Sequence, residues 1–131
     1  MKGNRTHPGI IPQSIQALYD QINIRKDLKN PSIKISYIEI YNESIRDLLK
    51  HNSNNLKLQM TSNGNLSIED LTESSVSSAT EIMQKFEFGE SERTFAETKM
   101  NTKSSRSHCI FKIQLNLENV YTDEIFSSTI N

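Results

Sequence analysis

Residues 109–117 alternate in character: Cys109, Phe111, Ile113, Leu115 and Leu117 fall on one face, with Lys112, Gln114 and Asn116 opposite. Period two over this length predicts a strand with one face on a core. It is fed by a polar octet, Asn101-Thr102-Lys103-Ser104-Ser105-Arg106-Ser107-His108. A rigid strand fixes the geometry of the loop that enters it, which suits such a loop to holding a ligand. Serine hydroxyls can bind a phosphate or complete a magnesium shell, and Arg106 supplies a planar fork for a carboxylate or phosphate. On chemistry alone the octet is a candidate phosphate-responsive switch. A solvated basic linker and a phosphorylation site at Lys-Ser-Ser-Arg-Ser fit the same residue types, and both stay open at this point.

Composition narrows the classes. With 131 residues the chain is about one domain long. Fifteen basic and 16 acidic side chains give a formal net charge of −1. That balance argues against a general nucleic-acid or membrane-surface binder, which carries a basic excess. A lone cysteine, Cys109, excludes an internal disulfide and suits a reducing compartment. Its place on the apolar face favours a buried thiol over a nucleophile. No apolar run is long enough to span a bilayer, and the N-terminal residues lack the apolar region of a secretory signal.

Further signals place the flanking elements. Pro8-Gly9-Ile10-Ile11-Pro12 predicts a turn into a helix with Pro12 at its first position, ending near Lys26. Ile15, Leu18, Tyr19 and Ile22 would form its buried face. Asn30-Pro31 is expected to break the chain before a strand over 32–41. That strand has Ile33, Ile35 and Tyr37 on one face and Ile38 and Ile40 on the other, the pattern of a strand covered on both sides. Asn42 is expected to cap a short helix, Glu43 to Leu49, packing through Ile45, Leu48 and Leu49. Glu39 and Glu43 could be read as a catalytic pair, but strand geometry favours Glu39 as the structural partner of a cation.

Leu56 to Met60 and Leu66 to Ile68 flank Asn63-Gly64, a hairpin cue because both residues tolerate positive φ. Ser78-Ala79-Thr80-Glu81 fits a capping box ahead of a helix with Ala79, Ile82, Met83 and Phe86 on its core face. Gly89 is expected to mark that helix's end or last turn. The tail from Glu118 to Asn131 looks irregular and polar.

Asn-x-x-Ser-Ser-Arg-Ser-His at 101–108 resembles the switch I signature of kinesin motor domains, with six of eight positions specified. Tyr37-Ile38-Glu39-Ile40-Tyr41-Asn42-Glu43, with Ile45 and Asp47-Leu48-Leu49, resembles a second kinesin signature. Gly-Ile-Ile-Pro at 9–12, Leu71-Thr72-Glu73, Gly89 and Arg93 also fall where kinesins have matching residues. Glu97-Thr98-Lys99-Met100-Asn101 and the strand after the octet look similar to the centromere-associated kinesins. The resemblance runs from Gly9 to about Leu117 and leaves 118–131 as a divergent tail.

That resemblance implies a partial α/β fold of the kinesin P-loop NTPase type, a central mixed sheet flanked by helices. It implies a microtubule-stimulated ATPase that uses ATP and Mg2+ and moves on microtubules, in the cytoplasm and on the cytoskeleton, including spindle or kinetochore. Ser105 would hydrogen-bond the magnesium shell and the terminal phosphate, and Ser104 would approach the attacking water or that phosphate. Arg106 would pair with a switch II glutamate, and Asn101 would hold the loop around the nucleotide. Ser107 and His108 would anchor the loop to its strand. A hairpin at 56–68 would face the microtubule, yet Thr61 to Asn65 holds no lysine or arginine. Lys50, His51 and Lys57 are the nearest basic candidates for acidic tubulin.

No Gly-x-x-x-x-Gly-Lys-Ser/Thr and no Asp-Leu-Ala-Gly-Ser-Glu occur among the 131 residues. The expectation is therefore a central piece of a motor domain, with Met1 an internal methionine of a longer reading frame and weak or no ATP binding by these residues alone. The alternative is a non-catalytic relic that binds tubulin or another partner. Neither nucleic acid nor membrane is expected as a partner, and oligomeric state is not readable.

Overall fold

The longest strand, β1 (Leu28–Tyr41), is the axis of the computed structural model. Residue 3 and residues 6–25, 27–53, 55–100, 107–119 and 125–130 are described, without the side chains of 28, 95–100, 119 and 126. Along one edge β1 pairs with β6 (His108–Asn119), from Leu28 opposite Asn119 to Ile40 opposite His108. Its other pairings are to β5 (Ser74–Val76) at Ile33–Ile35 and to β2 (Ser44–Asp47) at Ile38–Tyr41. A last strand, β7 (Ile125–Ile130), extends the sheet from β6. Every pairing between the described strands is antiparallel. A separate two-stranded hairpin joins β3 (Leu58–Met60) to β4 (Leu66–Ile68).

Two helices pack on the sheet, α1 (Ile10–Ile24) and α2 (Ala79–Met100). Ile15 is buried from α1, with Leu18, Tyr19 and Ile22 packed around it. From α2, Ile82 is fully buried and meets Ile33, Ile35, Val76 and Ile113 of the sheet. Burying each such side chain contributes about 1.5–3 kcal/mol. A second cluster joins Tyr37, Leu48 and Phe86. The Tyr37 and Phe86 rings stack at 5.5 Å, and Phe111 meets both edge-on at 5.2 Å.

The α/β class, the strand after the octet and the helical face of Ile82, Met83 and Phe86 agree with the sequence. Several local expectations do not. Helix α1 starts at Ile10, so Pro12 is its third residue, still within the turn whose N–H groups lack intrahelical acceptors. Asn30-Pro31 does not end a segment but lies inside β1, where the register slips by one residue between Lys29 and Ser32. Such a bulge tolerates proline, and Asn30 takes the required positive φ of 51°.

Glu43 to Leu49 is not a helix. Asn42 and Glu43 both adopt positive φ, 46° and 61°, which makes a tight hairpin turn from β1 into β2. The cap-like asparagine is a turn residue here, because cross-strand pairing with 38–41 outcompetes a helix of two turns. Gly89 does not end its helix either; α2 continues to Met100. Glu118 to Asn131 is not irregular throughout, since β6 reaches Asn119 and β7 follows. In the capping box, Ser78 Oγ accepts from Glu81 N at 3.1 Å, but the Glu81 carboxylate accepts from Ser77 N at 2.8 Å, one residue earlier than the pattern implies.

Candidate functional site

The octet joins the end of α2 to the start of β6. Asn101, Ser104, Ser105 and Arg106, the residues assigned to nucleotide and magnesium, lie outside the described residues, as do Thr102 and Lys103. The post to which their loop returns is described. Ser107 is half-buried, and Arg93 Nη2 of α2 donates to its Oγ at 3.3 Å. His108 then opens β6 opposite Ile40, exposed to solvent.

Arg93 is held from the other side by Glu39. Glu39 points from β1 toward α2 and is 4 % exposed. Its Oε1 lies 3.5 Å from Arg93 Nε, and its Oε2 accepts from Arg46 Nη2 at 2.6 Å. A buried carboxylate is tolerated only when paired and hydrogen-bonded; here Arg46 donates the hydrogen bond and Arg93 adds a second positive charge, its Nε making none. Glu39 is thus the structural partner of cations, as strand geometry favoured, while Glu43 sits exposed in the hairpin turn.

Beside this triad, Tyr37 donates its phenol proton to Glu90 Oε1 at 2.5 Å. Burial, then the Glu90 carboxylate, push the Tyr37 phenol far above its usual range. Cys109, opposite Glu39 in the β1–β6 register, is raised as well, chiefly by burial. Its thiol is a poor nucleophile, consistent with the apolar-face reading.

Asp47 was not singled out as an anchor by sequence reasoning, yet it is 2 % exposed and fully engaged. Its Oδ1 accepts from Leu49 N and its Oδ2 from Thr72 N, both at 2.8 Å. An aspartate ending a strand before Leu-Leu is a signal for such a turn-holding carboxylate. Arg93 had a weaker signal, a lone arginine on the polar part of a helix. Only the tertiary fold brings it to Glu39 and Ser107.

Lys50, His51 and Lys57 are all exposed, and His51 Nδ1 lies 2.8 Å from Glu92 Oε1 of α2. Lys57 leads into the β3–β4 hairpin, whose turn carries Gly64 at φ 78°. A groove of about 730 Å³ lined by residues including Lys34, Ser36, Ile38 and Lys112 lies on the β1 face opposite Glu39, away from Ser107. Among the described residues no group of histidine, cysteine, aspartate or glutamate side chains is arranged to hold a metal.

The family model described as the kinesin motor domain matches residues 1–131. The chain belongs to the kinesin motor domain family. The rice kinesin-like protein KIN-7L is 40% identical over 113 residues, 86% of this chain and 17% of that protein. The kinesin heavy chain of Strongylocentrotus purpuratus is 39% identical over 128 residues, 98% of this chain and 12% of that one. The solved structure of a fast kinesin superposes with a TM-score of 0.89 at 32% identity, covering 98% of this chain and 36% of that structure. The chain therefore spans about a tenth to a fifth of the full-length kinesin relatives it matches. Kinesins as a family are microtubule-associated, nucleotide-using motors of the cytoskeleton.

Proposed function

We propose that residues 9–117 supply the switch-loop side of an Mg-ATP site in a microtubule motor, with 118–131 as a divergent continuation of the same partial motor domain. In this reading Ser104 and Ser105 meet the terminal phosphate and the magnesium shell, Asn101 holds the loop closed, and Arg106 pairs with a carboxylate elsewhere in the motor. The observation that carries it is the position of the octet. It links α2 to β6 with its far end fixed at Ser107, so a phosphate bound by its hydroxyls and guanidinium would be coupled to both elements. Hydroxyl and guanidinium donors suit a phosphate and the outer ligands of magnesium, a hard cation that binds through oxygen. Bound Mg2+ would neutralise charge at the transferred phosphoryl group.

Microtubules are the proposed track, with Lys50, His51 and Lys57 on the facing surface. The likeness to the fast kinesin structure, described for its ATPase mechanism and microtubule interactions, supports both parts. ATP turnover by the full-length protein, with and without microtubules, tests the proposal. Microtubule-stimulated turnover that collapses by about a hundredfold or more in Ser105→Ala is expected, the scale of losing one group aimed at transferring charge. Wild-type turnover that ignores microtubules, or survives Ser105→Ala intact, overturns it.

A further inference from the structure

We infer that Glu39 is a positioning residue for the switch loop, acting through Arg93 on Ser107. Three elements meet at this point: β1 supplies Glu39, α2 supplies Arg93, and Ser107 stands one residue before β6. The Glu39 carboxylate holds the Arg93 guanidinium by charge, an ion pair at 3.5 Å from Nε without a hydrogen bond. Because that group is planar and rigid, drawing Nε toward Oε1 also directs its Nη2. That nitrogen reaches Ser107 Oγ at 3.3 Å. Arg46 holds the second carboxylate oxygen at 2.6 Å, so Glu39 cannot swing away to follow Arg93.

The strand register fixes the same point independently. Glu39 pairs with Cys109 and Ile40 with His108, so the backbone just beyond Ser107 is already laid against β1. The relay adds a side-chain clamp from α2 at the residue where backbone pairing stops. Ser107, the last residue of the switch loop before β6, is thereby a fixed post. This last step rests on the switch reading above; the clamp itself does not.

Neutralising a buried charge would explain the Glu39–Arg46–Arg93 cluster without any role for Ser107, so the test must separate the two. Ser107→Ala leaves all three charges in place and removes the hydroxyl that receives the Arg93 bond. Arg93→Lys keeps a cation beside Glu39 but loses the fork that reaches Ser107 as well. Amide hydrogen exchange of the nucleotide-free, full-length protein reads local opening directly. Exchange at residues 107–109 is expected to speed up by about tenfold in both variants and in Glu39→Gln, with Ile35 and Ile113 at wild-type rates. Unchanged exchange at 107–109 in Ser107→Ala and Arg93→Lys overturns the inference. A uniform rise that includes Ile35 and Ile113 overturns it too, because that is loss of global stability. Should Glu39→Gln fail to fold, Glu39→Asp, which keeps the charge but draws it back from Arg93, takes its place. Unchanged exchange at 107–109 in a folded Glu39 variant overturns the inference. Because exchange is read without nucleotide, a protein that never binds ATP would sink the switch reading and leave the clamp standing.

Discussion

A β-carbon added to Gly89 would lie 2.3 Å from Cδ1 of Tyr37, so α2 and β1 touch where the helix has no side chain. This contact sets the depth at which α2 rides on the sheet, and with it the reach of Arg93 one turn further on. It also brings Glu90 to the Tyr37 hydroxyl. Helix propensity alone favours Gly89→Ala by about 1 kcal/mol. Overpacking against a buried aromatic ring costs about 1–3 kcal/mol and faces the stacked Tyr37, Phe86 and Phe111 rings, which have little room to give. Gly89→Ala is therefore expected to be destabilising in urea or thermal unfolding. In a Tyr37→Ala background the same substitution should become neutral or stabilising. A stabilising Gly89→Ala in the wild-type background would show that the ring moves freely.

The hairpin turn between β1 and β2 offers the opposite sign. Glu43 sits at φ 61°, which costs a side-chain-bearing residue about 1–2 kcal/mol. Glycine removes that strain and gives back less, about 0.4–1 kcal/mol of unfolded-chain entropy. Glu43→Gly is expected to raise the unfolding midpoint modestly, and Glu43→Val to lower it. If Glu43→Gly were the less stable protein, an unseen role for the Glu43 side chain would be indicated.

These two sites show what the sequence made legible and what it hid. Periodicity revealed the core faces of α1, α2 and β6 because burial is a property of side chains at fixed spacing. The eight-residue octet and the strand signature at 37–49 carried the family by themselves. Asn42-Glu43 misled because an asparagine before a polar-apolar run serves a helix cap or a positive-φ turn equally well. Only pairing with 38–41, a non-local contact, decides between them. Gly89 misled for the same reason: a glycine reads locally as a helix stop, and its partner, Tyr37, lies 52 residues away by number. Arg93 was legible only as a family match, since its partners come from two other elements.

Asp47 should be among the most sensitive side chains outside the apolar core. Asp47→Ala would strand the partly buried N–H groups of Leu49 and Thr72, each now donating at 2.8 Å. Hydrogen bonds to a charged group contribute about 1.5–3 kcal/mol each, so a loss of about 3 kcal/mol or more is expected. Asp47→Asn keeps one acceptor oxygen and should lose about half as much. Equal losses for the two variants in chemical denaturation would mean that the charge, not acceptor count, matters.

Surface charge should matter far less, and in a salt-dependent way. Lys50 and Lys57 are exposed, and the hairpin loop between β3 and β4 adds no cation of its own. Reversing either to glutamate should weaken microtubule binding by less than about fivefold, since exposed pairs contribute about 0.2–1 kcal/mol. The effect should fade as added salt shortens the screening length. Cosedimentation of the full-length protein at two salt concentrations measures it. A loss of a hundredfold that salt does not diminish would place one of these lysines in a desolvated contact.

The buried phenol and thiol give the fold an alkaline limit. Both groups hold their protons more tightly in the folded chain than their reference values of 10.0 for Tyr37 and 9.0 for Cys109. A group with a raised folded pKa contributes stability that is complete below its unfolded pKa and is lost as pH climbs toward the folded value. Stability should therefore not vary with pH through these two groups near neutrality. It should start to fall near pH 9 through Cys109 and fall faster above pH 10 through Tyr37. Each group can contribute a slope of up to about 1.4 kcal/mol per pH unit. Tyr37→Phe should flatten the part above pH 10 and leave the part between 9 and 10 in place, while Cys109→Ala should do the reverse. Denaturant unfolding across pH 7 to 11 in the three proteins measures this. Curves of identical slope would mean that neither proton is held more tightly in the folded state.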